Sequence, residues 1–148
     1  MVWKPNVTVA SVLERDGRFL LVEERTRKGR RFNQPAGHLE DGETIAGAAV
    51  RETLEETGHA FRPEALVGVY SWRYADTGVT YLRFAFTGPV TEHDPQQPLD
   101  KGIVRAVWLT VDEIRERAER HRSPLVMRCI DDYLAGRRFP LDLIHHVA

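Results

Sequence analysis

The sequence predicts an α/β fold. Short segments rich in β-branched and aromatic residues read as strands, and they occur together with three segments that carry helix-capping residues. The chain has 148 residues, of which 42% are hydrophobic and 29% are charged, a composition typical of a soluble globular protein. We therefore expect residues 1–148 to form one domain with a substantial core.

Alternating apolar side chains predict five strands, over residues 7–13, 18–24, 65–73, 80–86 and 103–109. Turn residues at 16–17 join the first two strands, and turn residues at 76–78 join the third and fourth. Residues 26–31 are basic and residues 89–102 contain three prolines, so both segments are expected to be loops.

Three helices are predicted, over residues 44–57, 111–119 and 123–136. Thr44, Thr110 and Ser123 are expected to be N-caps, because a hydroxyl oxygen there accepts a hydrogen bond from an otherwise unpaired helix N–H. Pro124 suits the first turn of the last helix, and Gly58 suits the position that follows the first helix.

Charge and composition exclude several classes of function. The formal net charge of −1 gives no global attraction to a nucleic acid polymer, and no apolar run approaches the roughly 18 residues that cross a bilayer. The N-terminus lacks the layout of a signal peptide. Cys129 is the single cysteine, so no intrachain disulfide forms, and its apolar surroundings in sequence predict a buried side chain. We expect a cytoplasmic protein that does not bind a membrane.

Residues 37–58 place five glutamates and one arginine in one loop and the first predicted helix. Glu52, Glu55 and Glu56 have the spacing i, i+3 and i+4, which puts their carboxylates on one helix face. Like charges this close repel each other, and a set of hard oxygen ligands suits Mg²⁺. The face indicates a metal site, and the alternative is a solvated charged surface.

The same segment resembles the Nudix box of the Nudix hydrolase family. Seven positions are in register, namely Gly37, Glu43, Arg51, Glu52, Glu55, Glu56 and Gly58. At Thr53 and His59 the chain departs from the aliphatic residues that the family prefers, which concerns the packing of the helix more than the chemistry. Similar segments outside the box include residues 4–10, 33–40 and 122–126.

This resemblance implies the Nudix fold, a mixed β-sheet sandwiched between α-helices. It also implies Mg²⁺-dependent hydrolysis of phosphoanhydride bonds, with Mn²⁺ as a substitute for Mg²⁺. The implied substrates are nucleoside tri- and diphosphates and thiamine-related pyrophosphates, notably hydroxymethylpyrimidine pyrophosphate and thiamine pyrophosphate. The residues do not rank these substrates.

The resemblance also assigns roles to individual residues. The implied catalytic residues are Glu52, Glu55, Glu56, Arg51 and Glu43. The implied metal ligands are the three glutamates of the helix and a backbone carbonyl of Ala36 or Gly37. Glu52 is a candidate general base. Asp100, in the loop before the last predicted strand, is a candidate second carboxylate, and the alternative is an exposed loop aspartate.

The organic part of a pyrophosphate substrate needs a flat apolar surface and hydrogen-bond donors. Trp72 is the candidate for stacking on a substrate ring, against a core role. Arg31 and Arg83 are candidates for binding phosphate, because a guanidinium suits that geometry, and the alternative for each is a solvated arginine. His38 in the glycine-rich turn is a candidate for contact with the phosphates, against a packing role.

Rival functions remain open at this point. One is a catalytically silent Nudix-type domain that senses a nucleotide, which loss of the box carboxylates would favour. A second is an isomerase of isoprenoid diphosphates, and a third is a housecleaning pyrophosphohydrolase of another substrate class. The expected partner is a small-molecule pyrophosphate, and the protein is expected to be a monomer or a weak homodimer.

Overall fold

The computed structural model describes residues 1–148. It contains eleven strands and three helices in the order β1 (Asn6–Ser11), β2 (Glu14–Arg15), β3 (Arg18–Thr26), β4 (Gly29–Asn33), β5 (Ala36–His38), α1 (Ile45–Thr57), β6 (His59–Phe61), β7 (Ala65–Arg73), β8 (Thr80–Thr87), β9 (Val90–His93), β10 (Ile103–Thr110), α2 (Val111–Glu116), α3 (Leu125–Leu134) and β11 (Phe139–Pro140). Short 3-10 turns lie between α2 and α3, at Ala118–Arg120, and after β11, at Leu141–Leu143.

Five strands form the sheet that supports the site, in the order β11-β7-β8-β1-β5. β1 and β8 are parallel, whereas the other neighbouring pairs are antiparallel, so the sheet is mixed. A second sheet has the order β10-β3-β2, with β4 also paired to β3, and β6 pairs with β9 in a two-stranded ribbon. The α/β prediction is confirmed, with the strands divided among three sheets.

Two hydrophobic cores lie on opposite faces of the five-stranded sheet. Ala85 belongs to one core and Phe86 to the other, and adjacent residues of a strand point to opposite faces. α1 packs on the Phe86 side through Ala48 and Ala49. α3 packs on the Ala85 side through residues that include Cys129, which is fully buried as its sequence context predicts.

The five predicted strands are all present, each within two residues of its expected bounds. The prediction of a loop over residues 26–31 is wrong, because β4 begins at Gly29 and pairs with β3 so that Arg31 lies opposite Glu24. β5 and β9 also correct the predictions of a glycine-rich turn and of a loop over residues 89–102, and no element was predicted at β6. Strands of three or four residues carry too little alternation to be seen in a sequence, and they form because a partner backbone lies beside them.

α1 and α2 begin where their threonine caps predict. The prediction of Ser123 as the cap of the last helix is wrong, because α3 begins at Leu125 with Pro124 as its N-cap, and Ser123 Oγ accepts a hydrogen bond from Leu125 N at 3.1 Å. Thr44 Oγ1 accepts a hydrogen bond from Gly47 N at 3.0 Å, and Gly58 ends α1 in the left-handed region at a φ of 71°. α2 ends at Glu116, earlier than expected, because the chain continues as a 3-10 turn. None of the helices has the length and apolar character needed to cross a membrane.

Candidate active site

α1 carries the three glutamates towards β5 and the loop that precedes the helix. The side chains of Glu52 and Glu56 are buried, whereas Glu55 is partly exposed. The cap at Thr44 fixes where α1 begins, and the helix includes all three glutamates. Their i, i+3 and i+4 spacing within it places the three carboxylates on one face, as predicted.

Arg51 joins the loop before α1 to the glutamates on the helix. Its Nε and Nη2 donate to the two carboxylate oxygens of Glu43 at 2.6 and 2.9 Å. Its Nη1 donates to Glu52 at 2.9 Å and to Glu55 at 3.1 Å, and Nη2 also donates to the carbonyl of His38 at 3.1 Å. The hydrogen bonds from Arg51 lower the pKa of the Glu43 carboxyl group. Arg51 and Glu43, both implied catalytic residues, therefore pair as part of a larger network that includes Glu52 and Glu55.

Gly37 allows β5 to approach α1 closely. A Cβ atom at this position would overlap the carboxylate of Glu52. The first glycine of the box is therefore required by the close contact between strand and helix.

The peptide of Ala36 faces Glu56. The Ala36 N–H donates to Glu56 Oε1 at 2.9 Å and so points away from β1. Because the N–H and C=O of one strand residue point to the same side, the Ala36 carbonyl lies on this edge as well. Burial raises the pKa of Glu56 to about 8, against the lowering effect of the Ala36 N–H. Three nearby carboxylates raise it further, those of Glu24, Glu52 and Asp100.

The loop before β10 brings Asp100 to the glutamates of α1. Its N–H donates to the carbonyl of Glu55 at 2.9 Å. One carboxylate oxygen from each of Glu52, Glu55 and Asp100 lies within 4.8 Å of the other two. The candidate second carboxylate is therefore close to the glutamates, although its side chain is exposed as the alternative interpretation expects.

A groove of about 450 Å³ lies between the turn that joins β3 to β4, the end of β7 and residues 118–124. Trp72 and Tyr74 line it, with ring centroids 5.3 Å apart and planes inclined by 20°. Tyr81 stacks beside Trp72 at 5.9 Å. Arg31 also lines the groove, so two of the predicted substrate-binding residues are brought together there.

Arg83 and His38 lie outside the groove. Arg83 is only 5% exposed, so a solvated arginine is the wrong alternative at this position. Its guanidinium donates to Gln34 Oε1 at 2.9 Å and Asn33 Oδ1 at 3.0 Å, and it lies 3.8 Å from Cys129 Sγ. The side chain of His38 is exposed at the end of β5.

A model of the Nudix domain matches residues 2–129 of this chain. The chain belongs to the Nudix family. Phosphatase NudJ of Escherichia coli strain K12 is 41% identical over 143 residues, which span 97% of this chain and 92% of that protein. The expectations of a Nudix fold and a Nudix hydrolase acting on phosphoanhydrides are therefore confirmed.

Solved Nudix structures agree with this assignment. A Nudix hydrolase from Nitrosomonas europaea has a TM-score of 0.95 and 57% sequence identity, over 97% of this chain and 98% of that one. The MutT Nudix hydrolase from Burkholderia pseudomallei has a TM-score of 0.75 and 20% identity, over 88% of this chain and 98% of that one. The second comparison shows the fold alone.

Both departures from the Nudix box have a local partner in the structure. Thr53 replaces an aliphatic residue, and its Oγ1 pairs with Ser11 Oγ at 2.7 Å and donates to the Ala49 carbonyl at 2.7 Å. His59 is buried and stacks on His93 with ring centroids 3.9 Å apart. Burial lowers the pKa of His59, which favours the neutral ring. Polar partners thus replace apolar packing at both positions.

Sequence reasoning missed Glu24 and Arg122. Glu24 on β3 lies close enough to Glu56 to raise its pKa, and its carboxylate accepts a hydrogen bond from Arg122. The positions of Glu24 and Arg122 beside the groove depend on β4, because the pairing of β3 with β4 sets the face that Glu24 shares with Arg31. With residues 26–31 predicted as a loop, no signal in the sequence places Glu24 or Arg122 near the site.

Proposed function

We propose that this Nudix hydrolase cleaves phosphoanhydride bonds in nucleoside tri- and diphosphates and in thiamine-related pyrophosphates, with Mg²⁺ as cofactor and Mn²⁺ as a substitute. The observation that carries the proposal is the cluster of Glu52, Glu55 and Asp100, whose oxygens lie within 4.8 Å of one another. Hard oxygen ligands of this kind suit an ion that shares its shell with substrate phosphates. The relative NudJ is a phosphatase by name, which supports the same chemistry.

The donor set fits a divalent cation. Glu56 is buried beside other carboxylates and has a raised pKa, and a nearby cation would favour its charged form. We assign the metal to Glu52 and Glu55 of this cluster and to Glu56, which lies outside the cluster, together with the carbonyl of Ala36. We prefer Ala36 to Gly37 because the Ala36 peptide faces Glu56. When bound, such an ion neutralises charge on phosphoryl oxygens and lowers the pKa of water.

The remaining residues of the box orient these ligands. Arg51 holds the carboxylates of Glu52 and Glu55 through its Nη1, and Glu43 fixes the other side of the guanidinium. We assign the role of general base, which accepts the proton of an attacking water, to Glu52 or Asp100. In-line attack requires such a group within hydrogen-bond reach of the water.

The groove supplies the second part of the substrate site. The Trp72 ring, continuous with those of Tyr74 and Tyr81, offers a surface on which a planar ring stacks. We assign Arg31 to bind a phosphate at the same groove. We assign the exposed His38 to contact the phosphates beside the carboxylate cluster. Arg83 is assigned an indirect role. Because it is buried, we propose that it supports Asn33 and Gln34, which lead into Ala36.

The test is a phosphate-release screen over a panel of pyrophosphates, with Mg²⁺ and again with EDTA. We expect turnover only with the cation. Glu56→Gln keeps the shape of the side chain but removes an anionic ligand, and we expect kcat to fall on the order of 10²-fold or more. Glu92→Gln, an exposed position on β9, is the control. A kcat of Glu56→Gln within about threefold of the wild-type value would refute the metal assignment.

The same screen separates the proposal from its alternatives. A nucleotide-sensing domain would bind members of the panel without releasing phosphate, and a pyrophosphohydrolase of another class would release it from substrates outside the two proposed groups. We further propose a cytoplasmic enzyme that acts on small molecules as a monomer or a weak homodimer. Sedimentation at several protein concentrations measures the oligomeric state.

A further inference from the structure

Glu24 connects the carboxylate cluster to the groove. On one side Glu24 is opposite Ile103 in the register of β3 and β10, and the Ile103 N–H donates to the carbonyl of Asp100, a member of the cluster, at 3.0 Å. On the other side its Oε1 accepts a hydrogen bond from Arg122 Nη1 at 2.6 Å, and Arg122 lines the groove. The side chain of Glu24 is 15% exposed. The pair of Glu24 and Arg122 therefore links the loop that carries Asp100 to the groove.

Two arginines lie near Glu24 in the fold, and Arg122 is the one that pairs with its carboxylate. Arg31 is opposite Glu24 in the register of β3 and β4 and lines the same groove, but it forms no ion pair with any carboxylate. Its Nη1 donates only to the carbonyl of Arg30, at 3.0 Å. By contrast, Lys28 in the groove is paired with Asp76 at 2.7 Å. Arg31 is therefore available to an anionic ligand.

The backbone of Arg122 is fixed by a hydrogen bond, whereas its long side chain is half-exposed. Its N–H donates to the carbonyl of Phe32 at 2.7 Å, which ties residue 122 to β4. Its side chain is 48% exposed and is held by Glu24 alone. Arg122 is the more exposed partner of this pair, because the Glu24 side chain is only 15% exposed, so a ligand in the groove reaches the guanidinium first. A phosphoryl group offers more negative charge than a carboxylate and matches the planar guanidinium fork.

We propose that Arg122 and Arg31 form a phosphoryl-binding subsite between the carboxylate cluster and the ring on Trp72, and that Arg122 leaves Glu24 to contact the substrate. The inference rests on the proposed function, and it assigns the subsite to substrates in which a planar ring is joined to two or more phosphoryl groups. Glu24 holds Arg122 at the groove until the substrate replaces it. Neither residue takes part in breaking the bond.

Steady-state kinetics of Arg122→Met, Arg122→Lys, Arg31→Met and Glu24→Gln with GTP and hydroxymethylpyrimidine pyrophosphate test the subsite. Arg128→Met is the matched control, because Arg128 is an exposed arginine on α3 that pairs with Asp132. For Arg122→Met we expect KM to rise about tenfold or more, as for loss of a charge-assisted hydrogen bond, with kcat little changed. Arg31→Met should do the same, and Arg122→Lys should give an intermediate KM.

Glu24→Gln distinguishes a substrate contact from a structural ion pair. If Arg122 moves to the substrate, Glu24→Gln removes only its competing partner, and KM should stay the same or fall. Equal increases in KM for Glu24→Gln and Arg122→Met, or a KM of Arg122→Met within about threefold of wild type, would overturn the subsite. Calorimetric titration of GTP into Glu56→Gln, with and without Arg122→Met, gives the same answer without turnover. A wild-type enzyme that hydrolyses neither substrate would instead refute the proposed function.

Discussion

Among single residues, Glu56 is the one whose negative charge is strongly disfavoured by burial and by neighbouring carboxylates. It is buried, it accepts a hydrogen bond from the Ala36 N–H, and it lies near three other carboxylates. Burial and these neighbours raise its pKa to about 8. A proton or a cation therefore has to compensate the charge at neutral pH, and the two compete for the same carboxylate.

The first prediction concerns stability against pH in EDTA. The folded pKa of Glu56, about 8, is above the ordinary value of 4.5, so the native state binds more protons than the unfolded chain between these values. The stabilisation is fully present below pH 4.5 and is lost as pH rises through about 8. The free energy of unfolding should therefore fall by on the order of a few kcal/mol between pH 5 and 8.5. The melting temperature should fall over the same pH range.

Glu56→Gln should remove most of that fall, because the amide does not titrate, and the raised pKa of the buried Glu52 accounts for the remainder. Glu55→Gln, on the same helix but partly exposed, serves as the matched control and should retain it. Melting curves collected at closely spaced pH values in EDTA decide the matter. Parallel pH profiles for wild type and Glu56→Gln would show that Glu56 ionises normally.

The second prediction concerns Trp72. Trp72 stacks with Tyr74 and Tyr81 at the groove, and it also packs against the core that contains Ala85. Truncation should therefore remove a ring-binding surface together with some core packing. Stacking on an aromatic side chain is worth roughly 1–3 kcal/mol per base in single-stranded nucleic-acid complexes. Trp72→Ala should then lower kcat/KM for ring-bearing pyrophosphates by roughly five- to a hundredfold.

Inorganic pyrophosphate or a short alkyl pyrophosphate, where turned over, should lose much less activity in Trp72→Ala. The melting temperature of the variant is measured first, since loss of a core tryptophan would cost about 3–5 kcal/mol. Equal losses on both kinds of substrate in a folded variant would mean that Trp72 does not contact the ring.

At the scale of elements, the site depends on how closely β5 approaches α1. Helix α1 was predictable because its signals are local, a threonine cap, an apolar face and a terminal glycine. The contact with β5 was not, because three residues of strand have no pattern of their own and pair with β1 only in the folded chain. The family resemblance identified Gly37, and the structure gives the physical reason for it.

Gly37→Ala should therefore act on the chemistry. The added Cβ overlaps the Glu52 carboxylate, so either that carboxylate or β5 has to move. We expect kcat to fall by about tenfold or more, since misplacing a reacting group by about 1 Å costs up to roughly 10²-fold. Gly42→Ala is the control, because it strains a φ of 84° in the same loop but meets no neighbouring atom. It should lower the melting temperature and leave kcat unchanged, and an equal loss of kcat in both variants would count against the close-contact explanation.

The same contrast explains which substrate residues sequence could identify. Trp72 and Arg31 were found from residue type and they line one groove. Arg83 was also chosen by residue type, but its position on β8 turns it towards Cys129 and away from solvent. Burial of a single strand residue depends on what packs over it, and here that is α3, which is distant in sequence.

At the scale of the whole molecule, folding brings carboxylates together from separate parts of the chain. Glu24 comes from β3, the three box glutamates come from α1, and Asp100 comes from the loop before β10. The two cores on either face of the five-stranded sheet hold these segments in place. Packing therefore stabilises an arrangement that repulsion between like charges opposes, and any cation that binds this arrangement should oppose unfolding.

The last prediction follows from that linkage. A cation that binds only the folded protein stabilises it by RT ln(1 + [L]/Kd), about 2.7 kcal/mol at a hundred times Kd. For a domain of this size that corresponds to a rise in melting temperature of roughly 5–10 °C. Millimolar Mg²⁺ should produce such a rise, measured against NaCl of equal ionic strength so that general screening is subtracted.

The double variant Glu52→Gln/Glu56→Gln should melt higher than wild type in EDTA, because repulsion is relieved, yet respond far less to Mg²⁺. The control Asp112→Asn/Glu116→Gln removes two exposed carboxylates of α2 outside the cluster and should keep the full response. If the Mg²⁺ response were the same in both double variants, the cation would be binding elsewhere on the molecule, and the carboxylates of α1 would need another role.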